Sequence, residues 1–290
     1  MKRVIFSLSL CLCMGFSAMA QDVEEEYNAA YANKRGVYLL PQAGDFALGV
    51  DATPFLRYVG NIFTSNFNPA PRFNGVDQTI YGKYFLRDNR ALRARLTFNL
   101  FNDTDKGVVQ DDDYEDDPSE TLTDVQHSSN TDVELGIGYE FRRGNGRVQG
   151  FYGFEATFGF NSGYKRSFDY ANPIEDYNQS PSVYDFGDNY SWNSGVFNRL
   201  TEEKQGKTIS AGLGAFVGVE YFFAPQMSIG GEFGLGFRFN KSYQNEATWE
   251  SWSTVTNNLQ SETVKSDRWN DREIEVNTRA SGRIFLMFHF

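Results

Sequence analysis

The residues from Glu273 to Phe290 alternate between two kinds of side chain. One set of alternate positions is largely apolar: Ile274, Val276, Thr278, Ala280, Gly282, Ile284, Leu286, Phe288 and Phe290. The other set carries Glu275, Asn277, Arg279, Arg283 and His289. Successive side chains of a β-strand point to opposite faces, so the pattern predicts a strand with one apolar face. About ten residues of tilted strand cross a bilayer, so the segment is long enough for that face to meet lipid.

The first twenty residues have the pattern of an export signal. Lys2 and Arg3 precede an apolar run from Val4 to Phe16, and Ala18-Met19-Ala20 forms a cleavage site before Gln21. The alternative is an uncleaved membrane anchor, which the short run disfavours because a spanning helix needs about 20 apolar residues. We therefore predict a signal peptide over residues 1–20, a periplasmic N-terminal lead over 21–43 and one barrel domain over 44–290.

Composition narrows the class of protein. The only cysteines, Cys11 and Cys13, lie in the signal, so the mature chain has neither disulfides nor thiolate metal sites. Loss of Lys2 and Arg3 takes the formal charge from −11 to −13, which argues against nucleic acid as a partner. Mean hydropathy is −0.49, which argues against helical membrane spans. An aromatic content of 16% is compatible with a β protein that has interfacial aromatic belts.

Alternation elsewhere predicts eight strands. They are Asp45 to about Val59, Gln78–Arg87, Ala91–Phe101, Thr131–Arg142, Arg147–Phe160, Lys207–Phe222, Met227–Asn240 and Glu273–Phe290. Three connections are tight and carry turn residues, whereas residues 60–77, 102–130, 161–206 and 241–272 form long connections. Short and long connections alternate, as in barrels of the outer membrane. The predicted fold is all-β: an eight-stranded antiparallel transmembrane β-barrel, an up-and-down meander with four long outer loops.

The polar faces of these strands are predicted to line the barrel interior. Their charged residues are Arg93, Arg95, Glu134, Glu140, Glu155, Glu220, Glu232, Arg238, Arg279 and Arg283, separated by many glycines. Glycine weakens a solvated strand but leaves room for long charged side chains inside a narrow barrel, where opposite charges can pair. The alternative is a soluble barrel or sandwich that buries the apolar face, which alternation alone does not exclude.

Two motifs resemble a known family. The segment Tyr84-Phe85-Leu86-Arg87-Asp88-Asn89-Arg90-Ala91-Leu92 and the terminal Phe288-His289-Phe290 are similar to the outer-membrane β-barrel family of Bacteroidota, which belongs with small OmpA- and OmpX-like barrels. The resemblance covers about residues 44–290 and implies architecture rather than a particular function. The chain departs from common members in its long, acidic and aromatic loops, and it lacks a peptidoglycan-binding domain after the barrel.

Several groups of residues are candidates for function. Leu286, Phe288 and Phe290 resemble the signal read by the barrel assembly machinery, or are simply lipid-facing. Trp192, Trp249 and Trp252 fall in predicted outer loops, where they bind a partner or pack the loops. The acidic run of residues 103–124 favours a solvated loop over a calcium or magnesium site. His127, beside Ser128 and Asp132, is weak support for catalysis.

The sequence therefore predicts a multi-pass β-barrel of a Gram-negative outer membrane with a structural or surface-interaction role through its outer loops. The alternative is a subunit of a larger outer-membrane assembly for secretion, uptake or barrel assembly. A narrow gated channel and a rim-active enzyme are less favoured, because eight strands leave little lumen. No enzyme activity, cofactor or metal is predicted. Expected partners are membrane lipid and lipopolysaccharide, the assembly machinery, and an extracellular protein, a glycan or neighbouring outer-membrane proteins.

Overall fold

The fold is all-β and antiparallel. A computed structural model describes residues 38–52, 78–114, 116–117, 119–144, 146–266, 272–277 and 283–290. A single 3-10 turn, Asp112–Tyr114, is the one helical element within these ranges. No helix in the described part of the chain has the length and apolar character needed to span a bilayer. The predicted signal peptide, most of the lead and residues 53–77 lie outside the described residues.

The strands are numbered in chain order. Their bounds are β1 Phe46–Asp51, β2 Gln78–Arg87, β3 Arg90–Gln110, β4 Thr121–Arg143, β5 Val148–Asn161, β6 Lys165–Asp169, β7 Tyr190–Asn193, β8 Val196–Lys204, β9 Thr208–Ala224, β10 Met227–Ser242, β11 Glu246–Ser253, β12 Asn258–Lys265, β13 Arg272–Asn277 and β14 Arg283–His289.

Eight strand positions form a closed cycle of hydrogen-bonded neighbours, which we call the ring. From β1 the order is β2, β3, β4, β5, β9, β10 and β14, and β14 pairs with β1 again. β13 also pairs with β10, so β13 and β14 share one position. Tight turns at residues 88–89 and 225–226 define one end of the ring, the turn end. The described end of the lead also lies there, since Ala43 N donates to Asp88 Oδ1 at 2.8 Å.

The long connections contain most of the extra strands. β3 and β4 pair without a break out to Gln110 and Thr121, so residues 102–130 are a hairpin. β6 pairs with the outer part of β4, followed by β8, β11 and β12, and β7 pairs with β8. These strands, with residues 102–110 and 121–130, are called the outer sheet.

Two parts of the fold prediction are therefore wrong. Within the described residues the sheet has 14 strands rather than eight, and the predicted loops over 102–130, 161–206 and 241–272 contain paired strands, although residues 170–189 remain an irregular connection. The physical reason is that apolar and polar residues alternate only where the two faces of a strand meet different surroundings. Residues 102–106 are polar on both faces and exposed, so their strand pairing leaves no such signal in the sequence.

The two faces of the ring strands differ sharply in exposure. On the outward face, Phe158 is 57% exposed, Leu213 69% and Phe237 64%. On β2 the alternate residues Tyr81, Lys83 and Phe85 are buried while their neighbours point outward. The apolar residues therefore lie outside the ring and the charged residues lie inside it. This is the reverse of a soluble barrel.

Glycines give the interior aromatic rings their space. The buried cluster at the turn end contains Tyr81, Phe85, Phe151, Phe216, Phe285 and Met287. A Cβ atom added to Gly230 would lie 2.6 Å from Cε2 of Phe285, and one added to Gly218 would overlap the Phe151 ring. An L side chain at either position forces these rings to move. The inward glycines are therefore a packing requirement of the filled interior.

Gly230→Ala tests this packing. Overfilling a packed interior typically costs about 1–3 kcal/mol, so we expect the free energy of unfolding in urea, measured on detergent-solubilised protein, to fall by that amount. Gly82→Ala is the matched control, because a Cβ atom there meets nothing within 4 Å. Shortening the opposing ring with Phe285→Leu in the Gly230→Ala background should restore part of the loss. Equal stability of the two single variants would contradict the packing argument.

Candidate functional site

The ring strands place the charged side chains on one common face. Within the described residues the predicted set Arg93, Arg95, Glu134, Glu140, Glu155, Glu220, Glu232, Arg238 and Arg283 is brought together inside the ring through direct ion pairs. Arg279 lies outside the described residues. The charges form two groups, one near the turn end and one half-way along the ring. We call them the turn-end cluster and the middle cluster.

The turn-end cluster is built around two buried carboxylates, Glu140 and Glu220. Arg142 Nη1 lies 2.9 Å from Glu140 Oε1 and 2.8 Å from Glu220 Oε2. Lys83 Nζ lies 3.0 Å from Glu140 and 3.3 Å from Glu220. All four side chains are at most 3% exposed. Two cations thus share two carboxylates, and the charge of the cluster is balanced.

Sequence reasoning missed several members of this cluster. Lys83 points into the ring at the alternate position of β2 between Tyr81 and Phe85. The alternation of side chains along β2 was therefore the signal that could have identified Lys83 as an interior residue. Ser228 donates a hydrogen bond to Glu220 and lies 3.0 Å from His289 Nε2. Ser228 and His289 therefore give the buried carboxylate further polar contacts, as buried charge requires.

The middle cluster links five strands, β3, β4, β5, β10 and β14. Arg93 donates two hydrogen bonds to Glu232, at 2.8 and 3.2 Å. Arg95 lies 2.7 Å from Glu134 and 2.8 Å from Glu155. Arg238 pairs with Glu134, and Arg283 lies 3.8 Å from Glu232. Side chains that point into the ring from opposite walls therefore meet across its width.

Aromatic rings fill the space between the cations. Lys83 Nζ lies 4.8 Å from the ring centroid of Phe151, and Arg93 Cζ lies 4.0 Å from that of Phe216. Arg142 lies against Phe85 and Phe222. Cations over aromatic faces are favourable, particularly when desolvated. Beyond the middle cluster the interior opens into a polar cavity of about 260 Å³ lined by Glu134, Arg238, Asp132, Ser210 and Asn240 among others.

The outer sheet has a separate small core. Phe168, Ile174, Phe197 and Leu200 are buried in it. The connection between β6 and β7, residues 170–189, is held by buried polar groups: Asp124 accepts hydrogen bonds from Ala171 N at 2.8 Å and Tyr184 N at 2.9 Å. Specific hydrogen bonds therefore order this long connection.

The side chains of Arg199, which is buried, and Tyr170, which is half-buried, join the connection to β8. Arg199 Nη1 donates to Asn172 O at 2.7 Å, and Arg199 Nε donates to Glu250 at 2.6 Å. Tyr170 donates to Leu200 O at 2.8 Å. Burial raises the pKa of Tyr170 to about 12, so its hydroxyl remains a neutral donor at physiological pH.

The three candidate tryptophans do not form one site. Trp192 is 62% exposed on β7 and contacts the edge of Phe197, with ring centroids 5.5 Å apart. Trp249 and Trp252 are half-buried on β11. The tight turn that follows β7 contains Ser194 and Gly195, both at positive φ. Trp192 is therefore displayed on a projecting hairpin, while the other two pack into the outer sheet.

The remaining candidates lie apart from these clusters. Leu286 is half-buried and Phe288 and Phe290 are exposed on the outward face of the last strand position, where Phe290 N donates to Phe46 O at 2.7 Å. Their role in assembly stays a prediction. His127 lies on the exposed outer sheet, 3.1 Å from Thr104 and 3.5 Å from Asp169. In the ranges that the structure describes, no three His, Cys, Asp or Glu residues are placed to hold a metal ion.

Comparisons with known proteins add little to this geometry. No protein-family model matches the chain, and no curated protein matches it. Among solved structures, the chain is similar to the outer membrane protein OprG from Pseudomonas aeruginosa (10% identity, TM-score 0.31, covering 87% of this chain and 98% of that one). It is also similar to a major outer membrane protein from Thermus thermophilus (11%, 0.32, 85% and 98%). At these TM-scores the similarities carry no argument, and function is argued from the chain's own residues.

Glu220→Gln tests whether the turn-end cluster depends on balanced charge. Removing one partner from a buried ion pair typically costs about 3–5 kcal/mol, because the remaining charges stay desolvated. We expect a loss of that size in the free energy of unfolding in urea. Glu262→Gln on the exposed strand β12 is the control, with an expected change below about 0.5 kcal/mol. If both variants lose the same small amount, the cluster does not hold the ring together.

Proposed function

We propose that this chain is an integral outer-membrane protein in which the ring is a transmembrane β-barrel and the outer sheet binds a partner at the cell surface. One observation carries the membrane part of the proposal. Large apolar side chains cover the outside of the ring, whereas Glu140, Arg142 and Glu220 are buried within it. In water that arrangement would expose several strands of apolar surface, far more than a soluble monomer tolerates. In lipid it is the stable arrangement.

The length of the apolar face supports the same proposal. On β9 the outward positions are apolar from Ile209 to Phe223, and on β10 from Met227 to Phe239, apart from glycine. At about 3.3 Å per residue and a tilt near 40°, such strands cover the roughly 25 Å apolar band of outer-membrane barrels. Polar residues follow immediately at Lys207 and Lys241.

The filled interior favours a supporting role over transport. Paired charges and aromatic rings meet across the ring at both clusters, so an open water-filled path through these levels is not supported. A rigid, closed barrel is a suitable base for the outer sheet. The sheet has its own core and ordered connection, which keeps its projecting residues in fixed positions.

Trp192 is the residue we propose as the main contact with an extracellular protein or glycan. An exposed aromatic side chain on a defined hairpin provides a large contact area at low entropic cost, and such residues often dominate binding energy. Tyr190 and Phe197 lie behind it, with ring centroids 6.1 Å apart. The proposed binding surface is therefore the β7–β8 hairpin.

The barrel is tested by electrophoresis and proteolysis of outer membranes. We expect the folded protein to migrate differently before and after boiling, because closed barrels resist detergent unfolding at room temperature. Protease added to intact cells should cut in the outer part of the protein, for example at the exposed turn near Val255, and should spare the ring and its turn end. Release of the protein from membranes by high salt or carbonate, without a heat-dependent shift, would contradict the proposal.

Surface binding is tested with Trp192→Ser. An array of glycans and envelope proteins is first screened for those that bind the wild-type protein. Truncating a dominant aromatic contact typically costs about 2 kcal/mol or more, so the affinity of the variant for these ligands should fall at least about tenfold. Val255→Ser, at a residue 93% exposed elsewhere in the outer sheet, is the control and should bind normally. Unchanged binding of Trp192→Ser would exclude the hairpin. Co-purification with another membrane protein that persists in this variant would favour the assembly-subunit alternative.

A further inference from the structure

Two lysines stand where the outward apolar face ends. Lys207 is the next outward residue beyond Ile209, and Lys241 is the next beyond Phe239. Both contact one exposed ring: Lys207 Nζ lies 4.8 Å and Lys241 Nζ 5.3 Å from the centroid of Tyr243. Tyr243 N also donates to Lys207 O at 3.0 Å, which fixes the ring between the two strands. Cation–π contacts thus hold two ammonium groups beside each other.

Neither lysine has a carboxylate partner among the residues that the structure describes. Other lysines of the outer sheet, in contrast, are paired with carboxylates. Lys165 and Lys204 lie 2.8 and 2.6 Å from Glu202, and their hydrogen bonds lower its pKa. Lys265 lies 2.7 Å from Glu246. In a chain with a formal charge of −11, two adjacent lysines with no carboxylate partner in the described part of the chain form a local concentration of positive charge.

The strand register brings the backbone of β13 beside Lys241. Arg272 on β13 is the Cα partner of Lys241, so the backbone places it beside the lysines at the same level. Below them on the outward face lie Ile209, Phe237 and Phe239, which are all exposed. Positive charge directly above an apolar surface matches an amphiphile with an anionic head and hydrocarbon tails.

We propose that Lys207, Lys241 and Tyr243 bind the phosphate group of a lipid in the outer leaflet. The ammonium groups donate to the phosphate oxygens, and the acyl chains cover the apolar residues below. The apolar surface is why we commit to a lipid phosphate rather than to free phosphate, which would leave that surface uncovered. The inference rests on the proposed barrel, since only membrane insertion brings this level to lipid headgroups.

The test uses the full-length protein folded into phosphatidylcholine vesicles that contain bisphosphorylated lipid A, dephosphorylated lipid A or neither. Retention of the added lipid after detergent extraction is measured by native mass spectrometry. Because both ammonium groups that attract the phosphate are lost, the Lys207→Gln/Lys241→Gln variant should retain at least about tenfold less phosphorylated lipid A than wild type. Wild type should retain the dephosphorylated form as weakly as the variant does.

A matched variant controls for net charge. Lys106→Gln/Lys265→Gln removes the same charge from the outer sheet and should retain lipid A like wild type. Equal retention by wild type and Lys207→Gln/Lys241→Gln, or equal retention of both lipid forms, overturns the proposal. So does competition by millimolar inorganic phosphate, which would indicate a site for a free anion. Failure of wild type to insert into vesicles would instead overturn the barrel, so the two failures are distinguishable.

Discussion

Compensation of charge inside a narrow ring is the interaction on which the rest of the structure depends. Lys83 and Arg142 could not remain desolvated unless Glu140 and Glu220 lay within ion-pair distance of both. These four residues come from β2, β4 and β9, which are far apart in the chain. Their pairing therefore fixes the register of distant strands as well as the charge of the interior. A shift of one residue in any strand would place a charged side chain on the apolar face.

The same constraint explains the composition of the ring. Long cationic side chains in a small interior need space, which glycine supplies. They also need favourable contacts, which the ring faces of phenylalanine supply. The turn-end cluster and the aromatic rings around it occupy the interior together, as in the contact of Lys83 with both Phe151 and Phe285. This filled interior is the reason why the proposed function is placed on the outer surfaces rather than in the lumen.

The sequence predicted the parts of the fold whose two faces meet different surroundings. Strands β2, β5, β9 and β10 were located to within two residues because outward apolar and inward residues alternate along them. The outer sheet was missed because parts of it, such as residues 102–106, are polar and exposed on both faces and so show no alternation. Its connection over residues 170–189 depends on individual buried groups such as Asp124 and Asn172, and single polar residues have no periodicity to detect.

The position along β9 and β10 at which the alternation of outward apolar residues stops is itself informative. On β9 and β10 the apolar pattern ends at Ile209 and Phe239, and the next outward residues are lysines held against Tyr243. If the lysines only kept the protein soluble, acidic residues would serve equally in a chain that is acidic elsewhere. Two cations that have no carboxylate partner among the described residues are better explained by an anion supplied by the surroundings. In the proposed orientation, the phosphates of the outer leaflet supply it.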